Sequence, residues 1–218
     1  MRVRHKPWAD EFLEENSQIV IPSATQHKGN WRQLFGNDQP IFLEIGTGKG
    51  QFITGMAKQY PNINFIGIEL NKNIIVDAVQ KVVDSEQRNV RLINENAKDL
   101  REMFGDDEVN SIFLNFSDPW PKSRHEKRRL TFSSFLEQYE QVMTEQGEIV
   151  FKTDNKSLFE YSLVSFSQYG MELDEVVLDL HVLNDPTNVV TEYEEKFSLK
   201  GQPIYRCKTH FGRIKKSD

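Results

Sequence analysis

The chain has 218 residues, 38% of them hydrophobic and 11% aromatic, enough to fill the core of one domain with modest additions. Its formal net charge of -6 gives no general attraction for polyanions, and no apolar run approaches the ~20 residues that span a bilayer. The lone Cys207 excludes an intramolecular disulfide, fits a reducing cytoplasm and reads as a small apolar filler in a strand.

Met1 to Lys6 is basic, but Pro7-Trp8-Ala9-Asp10-Glu11 follows it and no long apolar segment does, so no secretory signal is expected. Residues 1–35 read as an extension. The run 41–45, apolar and closed by glycines, predicts a buried strand. A helix over 51–59 stops at Tyr60-Pro61, and 64–68 is a second strand. Apolar residues at Ile74, Ile75, Ala78, Val79, Val82 and Val83 have helical spacing. A strand over 90–93, a short helix over 97–104 and a strand over 111–115 come next. A helix over 132–144, a strand over 148–152 and a helix over 155–168, ended at Gly170, complete this part. Beyond it, 171–183 and 204–211 alternate like an antiparallel pair, and the polar stretch 184–203 reads as a long functional loop. The alternation predicts an α/β fold with a doubly wound, mainly parallel sheet of seven strands. One domain is expected, with 36–170 as its cofactor-binding core and 171–218 as C-terminal strands and substrate loop. Ligands of such sheets sit at the carboxyl ends of the strands, where strand order reverses.

Just after the strand over 41–45 stands Glu44-Ile45-Gly46-Thr47-Gly48-Lys49-Gly50. Its glycines suit a plain strand-to-helix turn or a close backbone approach to a ligand. A dinucleotide fingerprint would want glycine at Gln51, and a phosphate loop would want Ser or Thr after Lys49. The G-x-G-x-G spacing resembles instead the loop of class I S-adenosylmethionine-dependent methyltransferases. A carboxylate at Glu44 repels a pyrophosphate and tolerates a sulfonium. Glu69, ending the strand over 64–68, is placed to accept hydrogen bonds from ribose hydroxyls. In Asn94-Glu95-Asn96, Asn96 and, second to it, Asn94 are candidates for an adenine edge, and a helix cap is the other reading of Asn96.

After the strand over 111–115 comes Asn115-Phe116-Ser117-Asp118-Pro119-Trp120-Pro121-Lys122, then Arg124, His125, Glu126, Lys127, Arg128 and Arg129. Asp118 is a turn former or an acid facing the glycine loop. Trp120 is a platform for a base or a packed lid. From Lys122 to Arg129 five Lys or Arg residues meet one acid, and more basic residues stand at Arg2, Arg4, Lys6, Arg213, Lys215 and Lys216. Such segregation suits one anion-binding face on an acidic protein, or a solvated surface. Asp154, after the strand over 148–152, and Glu194, in the polar loop, offer acceptors for the N1 and N2 donors of a guanine edge. The five histidines (5, 27, 125, 181, 210) lack metal-ligand spacing, so no metal is expected.

Leu43 to Gly50, Gly67-Ile68-Glu69, Asp118 to Leu130, Phe151-Lys152-Thr153-Asp154-Asn155 and Thr191-Glu192-Tyr193-Glu194 together resemble the bacterial tRNA (guanine-N7-)-methyltransferase family. The resemblance spans about residues 30 to 211. It implies a Rossmann-like class I methyltransferase fold, cofactor contacts at Glu44, Gly46, Gly48, Glu69, Asn96 and Asp118, and Asp118 as the catalytic residue. It further implies substrate contacts at Lys122, Asp154, Thr191, Glu192, Tyr193 and Glu194. RNA contacts fall at Arg124, His125, Glu126, Lys127, Arg128 and Arg129. One departure is Ser117, where many members carry proline. The implied partners are S-adenosylmethionine and tRNA, with no membrane and with either a monomer or a homodimer. A methyltransferase acting on another RNA, a protein or a small molecule is the alternative.

Overall fold

The computed structural model describes residues 4–212. Arg2, Arg213, Lys215 and Lys216 lie outside the described residues. A helix α1 (Ala9–Glu15), a strand β1 (Val20–Ile21) and a helix α2 (Trp31–Phe35) come first. Then follow β2 (Ile41–Ile45), α3 (Gln51–Gln59), β3 (Asn64–Ile68), α4 (Lys72–Asp84), β4 (Val90–Ile93) and β5 (Val109–Asn115). The chain continues through α5 (Ser133–Val142), β6 (Met143–Thr153), α6 (Lys156–Tyr169), β7 (Met171–Val177), α7 (Glu192–Ser198) and β8 (Tyr205–Phe211).

The strands form one sheet in the order β1-β4-β3-β2-β5-β6-β8-β7. Neighbours from β1 to β6 are parallel, and β8 runs antiparallel to both β6 and β7. Parallel strands need cover on both faces. Every residue of β3 is accordingly buried, and α4 turns Ile75, Val76, Ala78, Val79 and Val82 inward. Two apolar clusters result, one holding Trp31, Tyr139 and Phe151, the other Phe52, Ile53 and Val79. Gly50, at φ +82°, lets α3 start hard against α4: a Cβ there would meet the Ala78 Cβ at 2.6 Å. Cys207 lies fully buried in β8, as expected of an apolar filler.

Four expectations need correction. The sheet has eight strands, because Val20 and Ile21 pair with Leu92 and Ile93 and cover the edge of β4. Two residues show no periodicity, so this strand leaves no sequence signal. The extension that carries it is tied down by Glu108, which accepts from the backbone N–H of Gly29, Trp31 and Gly105 at 2.7–2.9 Å. The helix expected over 97–104 is only a 3-10 turn, Leu100–Glu102, capped by Asp99. The strand expected over 148–152 begins at Met143, directly after α5. Finally, the polar stretch 184–203 contains α7, whose Thr191 Oγ1 accepts from Glu194 N at 2.9 Å in a capping arrangement. The buried residue of that helix is the charged Glu194, so an apolar pattern could not reveal it.

Candidate active site

Strand order reverses between β2 and β5, and their carboxyl ends open into a cavity of about 1220 Å³. Ile45 and Gly46 form one side, Ile68 to Lys72 another, and Asn115 to Asp118 with Trp120 the third. Gly46 (φ +83°) and Gly48 (φ +57°) are left-handed, and neither would bring a Cβ against another atom. Gly46 N and Thr47 N both donate to Ile68 O, which folds the glycine loop over the end of β3.

The acids are held in different ways. Glu69 accepts from Gly48 N at 3.1 Å and from Asn71 N at 2.8 Å, so backbone fixes its carboxylate on the cavity wall. Asn96 and Asp118 stand exposed on the same wall. Asp99 takes the capping place considered for Asn96. Glu44 does not line the cavity; it lies buried beneath, at 3% exposure. It accepts from Thr47 Oγ1 at 2.6 Å and from Asn115 Nδ2 at 2.8 Å. Burial pushes its pKa up to about 7, against the lowering effect of those two hydrogen bonds and of Lys152. Asn115 is on the cavity wall, its Nδ2 is committed to Glu44, and its buried Oδ1 has no partner. Sequence reasoning gave Asn115 no role; its only local signal is an amide ending an apolar strand.

The turn that presents Asp118 is strained. Phe116 (φ +52°) and Trp120 (φ +41°) are both left-handed, a conformation that costs a side-chain-bearing residue about 1–2 kcal/mol. Phe116 N donates to Lys152 O at 2.8 Å, and Arg129 donates to Pro119 O and Trp120 O, both at 3.1 Å. Arg129, its guanidinium over the Tyr161 ring at 4.1 Å, is therefore a brace of the turn rather than a free cation. Glu126 is half-buried, and burial and then the Glu126 charge push the Tyr161 phenol up; His125 packs edge-on to Trp120 at 5.7 Å. Of the six residues from Arg124 to Arg129 expected to face an RNA, Arg129 is the one that its hydrogen bonds commit to the turn. Lys122, Arg124, Lys127 and Arg128 are exposed, and Arg128 covers the Trp120 ring at 4.8 Å.

The substrate candidates of the tail divide similarly. Glu194, fully buried, meets Lys152 Nζ at 2.8 Å, and Asn188 Nδ2 donates to its other oxygen at 2.7 Å. Lys152 completes its shell with Asn188 Oδ1 at 3.0 Å and Val189 O at 3.1 Å. A carboxylate so enclosed cannot offer itself to a base, which corrects the guanine-edge role expected of Glu194. Glu192 is paired with Lys81, and Thr191 caps α7. Tyr193 stays half exposed, its ring 5.4 Å from Phe116. Burial, and then the charges of Asp154 and Asp118, push its phenol up. Among the described residues no group of three His, Cys, Asp or Glu is placed to hold a metal ion, and no helix is long and apolar enough to cross a membrane.

Residues 38–207 match the model of a family described as "Putative methyltransferase". A tRNA (guanine-N(7)-)-methyltransferase of Oceanobacillus iheyensis is 65% identical over 211 residues, covering 97% of this chain and 99% of that one. This chain belongs to the tRNA (guanine-N(7)-)-methyltransferase family. Another member, from Bacillus subtilis, is 62% identical over the same shares, 97% and 99%. Among solved structures, an antibiotic-related methyltransferase superposes with a TM-score of 0.66 at 18% identity, covering 89% of this chain and 98% of its own. An S-adenosylmethionine-dependent methyltransferase from Aquifex aeolicus gives 0.54 at 16% identity, covering 94% and 98%. At such identities the likeness establishes the methyltransferase fold. The cavity of this family member lies where strand order reverses, the place where open α/β sheets take ligands, and its wall suits S-adenosylmethionine. Glu69, Asp118 and the unpartnered Asn115 Oδ1 are acceptors, and the cofactor's ribose hydroxyls and ammonium group are donors.

Proposed function

We propose that this protein transfers a methyl group from S-adenosylmethionine to N7 of a guanine in the variable loop of tRNA, in the cytoplasm and without a metal ion. The observation that carries this reading is the position of Asp118. It lines the same cavity as Gly46 and Glu69, and it opens the segment that bears the exposed Lys122, Arg124, Lys127 and Arg128. At about 1220 Å³ the cavity has room for a base beside the cofactor.

When bound, S-adenosylmethionine supplies an electrophilic methyl group on a sulfonium. Glu69 holds the ribose hydroxyls, Asn96 the adenine edge, and Asn115 Oδ1 the ammonium group, with Glu44 fixing the Asn115 amide from below. Gly46 and Gly48 keep side chains out of the way. On the other side Asp154 accepts from the N1 and N2 donors of guanine, and Lys122 meets a neighbouring phosphate. Guanine N7 already carries an in-plane lone pair, so no residue has to remove a proton from it. Alignment is the main contribution of these contacts. The purine becomes cationic on methylation, and the carboxylate of Asp118 favours that developing charge. Glu194 acts from a distance: its pair with Lys152 holds the start of α7, and with it Tyr193, against the Asp118 turn.

Incubation of the protein with unmodified tRNA and methyl-labelled S-adenosylmethionine, followed by nucleoside mass spectrometry, tests the reading. Label in 7-methylguanosine is the expected result. Label in another nucleoside, or none, overturns it.

A further inference from the structure

The proposed reaction gives no role to an aromatic row that begins at the cavity. Phe116 lines the cavity two residues before Asp118. Its ring lies 5.4 Å from that of Tyr193 at 41°, and Tyr193 stacks in turn on Phe197 at 4.6 Å and 30°. The three rings run from the cavity to α7. The first two rings of this row hang on one residue. The carbonyl of Lys152 holds Phe116 N, and its ammonium group holds Glu194, next to Tyr193. A left-handed backbone at an aromatic residue is kept only where the surroundings impose it. Phe116, so held, lines the cavity together with Asp118.

We propose that Phe116, together with Tyr193, is the surface on which the target purine stacks, and that this surface favours the cationic 7-methylated ring over the neutral one. The proposal rests on the methyl transfer inferred above and adds the group that positions the base. A purine taken out of a nucleic-acid stack loses its neighbours, and an aromatic side chain replaces them. The face of an aromatic ring attracts positive charge. Guanine gains that charge only as the methyl arrives, so the attraction is stronger in the transition state than in the substrate complex and raises kcat. Phe116 and Asp118 line the same cavity, which puts the ring and the acid around one space.

The test uses Phe116→Leu, which keeps an apolar side chain of similar length and the same backbone demand but has no ring face, and Phe116→Tyr, which keeps the ring. Binding of 7-methylguanosine 5′-monophosphate and of guanosine 5′-monophosphate is measured with S-adenosylhomocysteine present. The wild type is expected to prefer the methylated nucleotide by about tenfold. In Phe116→Leu that preference falls by about fivefold and kcat on tRNA falls by about tenfold, while the Kd for S-adenosylmethionine is unchanged. Phe116→Tyr restores both. The part of the preference owed to Asp118 and Asp154 survives in every variant, so the fall is what the rings contribute. An unaltered preference in Phe116→Leu overturns the proposal, as does a wild type that binds neither nucleotide or both alike. If the wild type methylates tRNA and Phe116→Leu matches it, the role of the aromatic row alone is refuted. If the wild type does not methylate tRNA, the proposed reaction is refuted as well.

Discussion

Glu44 offers a test of the buried network under the glycine loop. Its carboxyl group is almost fully enclosed, and burial raises its pKa from 4.5 to about 7. The native state therefore holds this proton more tightly than the unfolded chain does. Where the native state binds more protons, stability falls as pH rises. The loss is spread from about pH 4.5 to about pH 7, and the shift makes it worth about 3 kcal/mol. Glu44→Gln removes the charge and keeps the shape, and its amide can still accept from Thr47 Oγ1 while Asn115 turns its oxygen toward the new NH₂. Relative to wild type, the variant is expected to gain about 3 kcal/mol between pH 4.5 and pH 8. Urea unfolding followed by circular dichroism at pH 4.5, 6 and 8 gives this difference, and other titrating groups cancel in the comparison. A variant-minus-wild-type difference that stays flat across this range would refute the burial argument. A difference that shrinks as pH rises would invert its sign.

Four further outcomes follow from the geometry. Asp118→Ala, at an exposed position, should keep its unfolding midpoint and lose about 10²–10³ in kcat; near-normal methylation by the folded variant would remove Asp118 from the reaction. Glu194→Ala strands the Lys152 ammonium in a buried site and should destabilise by about 3–5 kcal/mol in urea unfolding. The double variant with Lys152→Met should recover most of that loss, and equal damage in both would show that the pair is not what holds the tail. Tyr139→Phe deletes a fully buried hydroxyl that has no partner, and a stability gain of about 1 kcal/mol is expected from thermal unfolding. Replacing exposed Lys127 with Ala should lower the slope of log binding constant against log salt for tRNA by about 0.7–0.9, whereas Arg129→Ala should reduce stability; the opposite assignment would reverse the roles given to these two residues.

Much of this was legible in the chain itself. A buried parallel strand is a short apolar run and an amphipathic helix repeats near 3.6 residues, so β2 to α6 could be traced without coordinates. The wall of the cavity was legible for a related reason. A doubly wound sheet puts its ligand at strand ends, so Gly46, Glu69, Asn96 and Asp118 each follow or end an apolar run at a position local pattern can find. The edge strand at Val20–Ile21 and the helix from Glu192 were not legible, the first too short to show a period, the second turned inward by a charge.

Sequence by itself determined the fold class, the glycine loop and the presence of an acid beside a basic cluster, because each is written in consecutive residues. Tertiary structure alone decided which of those charges meet solvent. Arg128 and Arg129 are neighbours in one basic run, yet the first is exposed over Trp120 and the second is spent on the carbonyls of the turn. Glu194 and Asp154 are both acids that the sequence offers to a base, yet only Glu194 meets Lys152, across 42 positions of sequence. Pairs so far apart leave no local pattern. Whether a charge is free for a ligand or committed to the protein depends on what the folded chain brings within hydrogen-bonding distance of it.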